Sequence, residues 1–493
     1  MSLNADSLSV SEPERIELPW FRRKSPHIQI LLASACLFCN PGINLAITGL
    51  GAGGGRGAAS IYMFDISSGV LYGMFTFSAI FGGCFINFLG PRTSMLIGNT
   101  GYPFYIGALW YFEKTGHLWF PIFGGLYLGF TAGLLWSTAG FTAMTYPEEV
   151  EKGRWRAIQW TFLALGAVIG AIVSLGVTLG QTATESVPEA VYIIFIVIQL
   201  SSAFFAVLLC DPNEVIRNDG SPVASFKQAN FRETFSGLIE ALSDWRLLIM
   251  IPCFFAAEVF LVYQSSFNAF VFTTRARNLN NVLVNVFQIP FSIATGYLLD
   301  SKQLGSRRRR GMIVATIMAI WVGGANIAEV VWVAKWKLDR STTGPQIDWS
   351  DHAYAGAVSI HLAYGAQYGM FQNTGFWILA AMTNKPGRLA HMSGFAVGFL
   401  SAGTATAFGI DAAGTPYLNE ICAYFALFVI SVPILLFNAN HATESNYFME
   451  DGVGVPVHVQ LEKRHIVGRE VVRISCNPSA EDHKGRTAEE QRV

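Results

Sequence analysis

The chain predicts an all-α integral membrane protein with 12 transmembrane helices in two six-helix halves. Three observations predict it. Of its 493 residues, 52% are hydrophobic and 14% charged, with a mean hydropathy of +0.39, whereas a soluble domain carries about 25% charged residues. Twelve apolar stretches each come near the roughly 20 residues that a bilayer core requires. A short frame also occurs twice. Gly83-Cys84-Phe85-Ile86-Asn87 runs on to Gly90-Pro91-Arg92, and Gly296-Tyr297-Leu298-Leu299-Asp300 runs on to Gly305-Ser306-Arg307. Both copies read Gly, three apolar or small residues, Asn or Asp, then Gly-x-Arg. A polar turn at the same place in two halves points to a duplicated membrane protein.

The chain opens with a polar head, 1–27, which ends in Arg22-Arg23-Lys24 and has no apolar region of the kind a cleavable signal needs. Helices expected near 28–50, 66–89, 94–112, 117–143, 156–180 and 189–210 build the N-terminal half, 28–210. In the first, Pro41 removes a backbone donor and Gly42 lets the helix bend, so a kink falls between Asn40 and Asn44. Gly49 to Gly57 lacks the Gly-Lys-Ser/Thr ending and the preceding strand of a phosphate loop, and is expected to be a flexible outer loop. Glu148, Glu149 and Glu151 interleave with Lys152, Arg154 and Arg156, which reads as a solvated loop network. In the fifth helix Gly166, Gly170, Gly176 and Gly180 form small-xxx-small pairs, the pattern of close helix packing.

A polar connector, 211–243, leads to the C-terminal half, 244–437, with helices near 245–270, 278–300, 311–334, 353–382, 388–410 and 417–437. Residues 438–493 form a polar cytoplasmic tail, expected to lack fixed structure, with some β character over 453–474. The seven Cys are scattered, mostly in apolar segments, so no disulfide framework is expected. Cys36 and Cys39 have redox spacing but sit in an apolar helix, where packing is the simpler use.

Charge sets the orientation. On this map 26 of the 33 Lys and Arg lie on the side of the N-terminus and 7 on the other. The positive-inside rule then places both termini in the cytoplasm. The formal net charge of −1 implies no nucleic-acid partner. The run Arg307 to Arg310 reads as an orientation anchor at the headgroups. No catalytic constellation, metal-ligand spacing or cofactor fingerprint occurs, so the chain is not expected to be an enzyme. The bilayer is its first partner.

Polar residues inside spans are the candidates for chemistry. Glu258 sits in Phe254-Phe255-Ala256-Ala257-Glu258-Val259-Phe260. A carboxylate at the bilayer centre costs roughly 2.5–3.5 kcal/mol on insertion scales, so it must face protein or water. It would hold a proton or a solute ammonium, or else lock two helices together. Asn281, Asn285, Gln288 and Ser292 share one helix face at offsets of 4, 7 and 11. Amides there would be unsatisfied in lipid, so that face meets a cavity or a neighbouring helix. His361, Gly365, Tyr368 and Gln372 repeat the same offsets, and His361 titrates in the range useful for passing a proton. A lone His in an apolar helix also serves as a satisfied packing residue.

The two-by-six plan with matching loops resembles the major facilitator superfamily, whose halves are parallel repeats. In that family the frame has Asp where this chain has Asn87, while Asp300 keeps it. The resemblance implies a cytoplasmic latch made by Asn87, Arg92, Asp300 and Arg307, with Asn87 accepting hydrogen bonds from a helix N-terminus without bringing charge. It also implies that the first, fourth, seventh and tenth helices line a central path, on which Asn44, Glu258 and His361 would converge. A narrower likeness rests on Cys39-Asn40-Pro41-Gly42-Ile43-Asn44-Leu45-Ala46, Leu71-Tyr72-Gly73, Asn87-Phe88-Leu89-Gly90-Pro91-Arg92 and Tyr146-Pro147-Glu148-Glu149. Together these resemble the fungal Unc-93-like branch. Two functions follow from the likeness. One is a secondary transporter of an unidentified small solute, with Glu258 coupling to protons and Asn44, Asn285, Gln288 and His361 holding the solute. The other is a non-transporting partner that regulates or escorts another membrane protein.

Overall fold

The computed structural model describes residues 18–45, 58–178 and 189–464. The bundle is built from α1 (Pro26–Leu45), α2 (Ala58–Ile80), α3 (Gly82–Thr115), α4 (Trp119–Thr145), α5 (Lys152–Thr178) and α6 (Glu189–Val207). A short amphipathic helix, α7 (Phe231–Leu242), precedes the second set. That set is α8 (Trp245–Val271), α9 (Thr274–Asp300), α10 (Arg307–Trp336), α11 (Tyr354–Met382), α12 (Pro386–Ala412) and α13 (Tyr417–Asn440). Below, α1–α6 are the first half and α8–α13 the second. Among the described residues β pairing is confined to isolated bridges such as Ala224 with Val453.

Ten of these helices are long and apolar enough to cross a membrane. α3 and α11 have the length but are more polar, and the expected twelve includes both. Phe81 keeps helical geometry (φ −84°, ψ −2°), so α2 runs on into the start of α3. The chain breaks at Gly90, whose φ of 80° is open to glycine at no steric cost. Pro91 then restarts the helix, which suits a first helical position. The expected division between second and third spans therefore falls at Gly90. In α1 the missing N–H of Pro41 turns Phe38–Gly42 into a π turn. Gly42 lies there against Gly166 of α5, where an added Cβ would stand 3.0 Å from the Gly166 Cα. The Gly-rich stretch 49–57 and Gly180 lie outside the described residues.

Large apolar side chains point outward along the bundle. Val197, Leu200 and Phe204 of α6, Ile172 of α5, Ile320 of α10 and Val429 of α13 are exposed, while Asn40, Gln159, Gln199, Asn373 and Thr374 are wholly buried. A surface of this kind suits hydrocarbon, while polar groups lie inside, where Asn40 Nδ2 donates to Asn99 Oδ1 and Ser202 Oγ and Gln159 Nε2 to Ala139 O.

Two features depart from the sequence reading. The stretch expected as a solvated network is largely inside the protein, with Glu149, Lys152 and Arg156 buried. α5 begins one turn earlier than expected, at Lys152. That turn carries the charges under the loops. Residues 441–464, expected without fixed structure, fold back across one end of the bundle. Tyr447 Oη accepts from the Glu149 backbone N–H at 3.1 Å, Gly454 N donates to Val223 O at 3.0 Å, and Val457 N donates to Asp219 Oδ2 at 2.7 Å. Residues 465–493 lie outside the described residues. This end also holds residues 18–25, and is called the terminal end below.

Candidate functional site

α8 is not continuous. Its helical segments Ile251–Ala256 and Val259–Val271 meet at Glu258, whose φ of −128° and ψ of −2° are not helical. The break frees backbone groups at mid-helix and presents the carboxyl to the second half's own α11. Glu258 Oε1 accepts from Tyr368 Oη and Gln372 Nε2, both at 2.9 Å. Tyr368 and Gln372 are one turn apart on the stripe read from the sequence, which is why both reach the same oxygen.

Glu258 lines a cavity between the halves. Asn44, Tyr72, Tyr102 and Arg156 of the first half face Glu258, Tyr368 and Gln372 of the second across it. Arg156 is 3% exposed. Its Nη1 donates to Gln159 Oε1 at 2.5 Å, and its guanidinium lies 4.0 Å from the Phe376 ring centroid and 5.5 Å from that of Trp160. Its Nε is buried with no protein acceptor among the described residues. A cation from one half and a carboxyl from the other thus share one cavity. An arginine on aromatic faces keeps its charge while its fork still offers donors to a guest.

The other sequence candidates are placed differently. Gln288 Oε1 accepts from Trp160 Nε1 at 3.0 Å, and its Nε2 donates to Asn285 Oδ1 at 2.9 Å. Asn285 Nδ2 in turn donates to Asn281 O at 2.7 Å. The amide stripe of α9 is therefore spent along its own helix and on α5. Trp160 stands edge-on to Tyr368 at 4.7 Å between ring centroids, so two side chains, Trp160 and Tyr368, separate the stripe from Glu258. His361 does not join Glu258. It lies seven residues before Tyr368, about 10 Å along the helix axis, and its Nδ1 meets Gln264 Oε1 at 2.7 Å. Gln264 Nε2 donates to Glu329 Oε2 at 2.7 Å, so His361 belongs to a second carboxyl. Sequence reasoning missed Arg156, which it left in a loop, and Glu329, although an acidic residue inside the apolar run of α10 was the available signal.

At the terminal end the two copies of the repeated frame each meet the opposite half. Asp300 Oδ1 and Oδ2 accept from the backbone N–H groups of Gly153 and Arg154 at 3.0 and 2.6 Å. A carboxylate at the start of α5 matches the positive end of the helix dipole. Asn87 faces the start of α12 but acts as a donor, correcting the expected acceptor role. Its Nδ2 donates to Gly387 O and to His391 Nε2, both at 3.0 Å. An acceptor there would oppose a carbonyl, so the uncharged amide fits where a carboxylate would not. The glycines of both frames permit the approach: a Cβ on Gly83 would stand 2.5 Å from His391 Cα, and one on Gly296 2.5 Å from Ala157 Cβ. Arg307 is buried and reaches across to Glu149 Oε1 at 3.8 Å. Glu149 Oε1 also accepts from Asn384 Nδ2 at 2.6 Å and Asn446 N at 2.8 Å. Lys152 Nζ donates to Ala380 O and Asn384 Oδ1. Arg92 is exposed, and its charge acts on Asp211 rather than across the halves. Beside this network, hydrogen bonding to His27 holds the Glu151 carboxyl below the usual carboxylate range, against burial.

The bundle and its central cavity define a membrane protein of the major facilitator fold. Solved structures agree: a variant of the Escherichia coli fucose:proton symporter FucP superposes with a TM-score of 0.58 at 13% identity, covering 84% of this chain and 99% of that one. The proton:xylose symporter XylE superposes equally well, with 83% and 94% covered. More particularly, residues 62–297 match the family described as "Ion channel regulatory protein UNC-93". An uncharacterised membrane protein of Schizosaccharomyces pombe is 38% identical over 90% of each chain. UNC93-like protein 1 of Arabidopsis thaliana is 30% identical, with 84% of this chain and 90% of the relative covered. The chain belongs to the UNC-93-like family.

Proposed function

We propose that this protein is a secondary transporter of a small polar organic solute, working by rocking its two halves about the central cavity. Glu258 exchanges a proton or meets the cationic part of the solute, and Arg156 meets its acceptor groups. Asn44 lines the solute path, whereas Asn285 and Gln288 position the groups around it. The observation that carries the reading is the break in α8 at Glu258, opposite a buried arginine of the other half. Discontinuous helices at the repeat interface are where secondary transporters hold substrate and coupling ions. The terminal end supports the same reading. Asn87, Asp300 and Arg307 join the halves through hydrogen bonds and an ion pair, contacts that can be exchanged for water when that end opens. The excess of Lys and Arg on this side supports a cytoplasmic place for this end, with α3 and α11 as the further two of twelve spans. FucP and XylE, which share the fold, are proton symporters.

The test is reconstitution of the purified chain in liposomes and a solute screen under an imposed pH gradient, with Glu258→Gln beside it. Gradient-driven uptake that the substitution abolishes is expected. Uptake of the same rate in Glu258→Gln would sink the coupling role. A second reading, a regulatory partner of another membrane protein, is favoured by the family's description and by the amides of α9 being spent on protein contacts. It predicts no uptake of any solute and co-purification of the protein with a specific membrane partner from native membrane.

A further inference from the structure

Away from the central cavity, the second half contains a second carboxyl inside a membrane-spanning helix. Glu329 of α10 is 1% exposed. Among the described residues no Lys, Arg or His lies within ion-pair distance of it. Its neighbours are polar and neutral: Gln264 Nε2 donates to Oε2 at 2.7 Å, the hydroxyls of Tyr263 and Tyr364 stand beside it, and Asn326 accepts from Tyr364 Oη at 3.2 Å. A bare carboxylate so placed has no countercharge, and burying one costs far more than burying its acid form. The surrounding donors nonetheless stabilise the anion. A site that gives partners to both forms is suited to taking up and releasing a proton rather than to holding one permanently.

The cluster also has a direction. Gln264 Oε1 contacts His361 Nδ1 on one side. On the other, buried Tyr263 stands edge-on to Tyr424 at 6.1 Å between ring centroids, and its hydroxyl, beside Glu329, has no hydrogen-bond partner among the described residues. Glu420 accepts from Tyr424 Oη at 2.8 Å and from Arg340 Nη2 at 2.8 Å. Arg340 is bound in turn to Asp411. Glu420 and Arg340 lie at the end of the bundle remote from the termini, where α13 begins and the loop after α10 runs. A line of polar groups therefore leads from that end, through Glu420, Tyr424 and Tyr263, to Glu329, Gln264 and His361.

We infer that Glu329, held by Gln264 and flanked by His361, is a second, exchangeable proton site, reached from the end opposite the termini along Glu420, Tyr424 and Tyr263 and separate from the Glu258 cavity. The proton binds Glu329 at Oε1, since Oε2 is held by Gln264, and no other bond changes. The test needs no transported solute, so it stands or falls independently of the transporter reading. Infrared difference spectra of the purified full chain are recorded between high and low pH, in H2O and D2O. The expected result is a carboxylic-acid carbonyl band that grows on acidification, shifts in D2O, persists in Glu258→Gln and is lost in Glu329→Gln. A band that is the same in wild type and Glu329→Gln, or a Glu329 band constant at every pH, would overturn the proposal. Should Glu329→Gln not fold, Gln264→Leu leaves the carboxyl in place and must shift its band, and an unshifted band overturns the proposal equally. Tyr263→Phe is expected to slow deuterium exchange of the band several-fold, and unchanged exchange would refute the route.

Discussion

Gly83→Ala tests whether the two halves close on each other through the repeated frame. An alanine Cβ at this position would stand 2.5 Å from His391 Cα, 2.6 Å from His391 N and 2.7 Å from Ala390 C. All three are backbone atoms of α12, so no side-chain rotation relieves the clash. Overpacking of this kind costs about 1–3 kcal/mol. It is felt only while α3 and α12 touch, so the terminal end should shift toward open by about 5–150-fold. Gly107→Ala is the control, since it lies beyond the break at Gly90 with nothing within 4 Å of an added Cβ. The assay is a spin-label distance distribution between Arg92→Cys and Lys385→Cys, two exposed positions at the terminal end of opposite halves. A longer, more populated distance is expected for Gly83→Ala and not for Gly107→Ala. A distribution identical to wild type would refute the argument that this contact closes that end.

Three further outcomes follow. Asp300→Ala removes the acceptor of two backbone N–H groups at the start of α5. It should cost about 1–2 kcal/mol by analogy with lost helix caps, read as a lower Tm, with Asp300→Asn milder. Glu450→Ala strips hydrogen bonds from Thr383 Oγ1 at 2.5 Å and Asn384 N at 2.6 Å. Limited proteolysis within 441–464 should then accelerate several-fold while the bundle stays intact. Burial pushes the Asp244 carboxyl up, but hydrogen bonds and charge from Arg246, with the charge of Arg388, outweigh it and hold the group below the usual carboxylate range. Its stabilising contribution is complete above the unfolded value near ~3.9 and is lost as pH falls through the lower folded value. Asp244→Asn should accordingly lower Tm at neutral pH and flatten its fall in acid.

Much of the fold was legible because hydrophobic length and turn chemistry are local. The frames at Gly83 and Gly296 carry their own reason, an approach of backbones that a Cβ would prevent, and they mark contacts between halves. Glu258 was legible because an acidic residue inside an apolar run stands out. Arg156 was not, because placing the start of α5 four residues late turned a cavity cation into a loop charge. His361 was read toward the wrong carboxyl, since which neighbour a side chain meets depends on helices that no periodicity relates. The strap 441–464 was invisible for the same reason: its partners Glu149, Val223 and Asp219 are more than two hundred residues away.

The central claim is that proton and solute meet at Glu258. Capacitive current on rapid solute addition to proteoliposomes adsorbed on a solid-supported membrane tests it most directly. A solute-evoked inward proton current is expected in wild type and lost in Glu258→Gln, while that variant still binds the solute. An undiminished current in Glu258→Gln would contradict it.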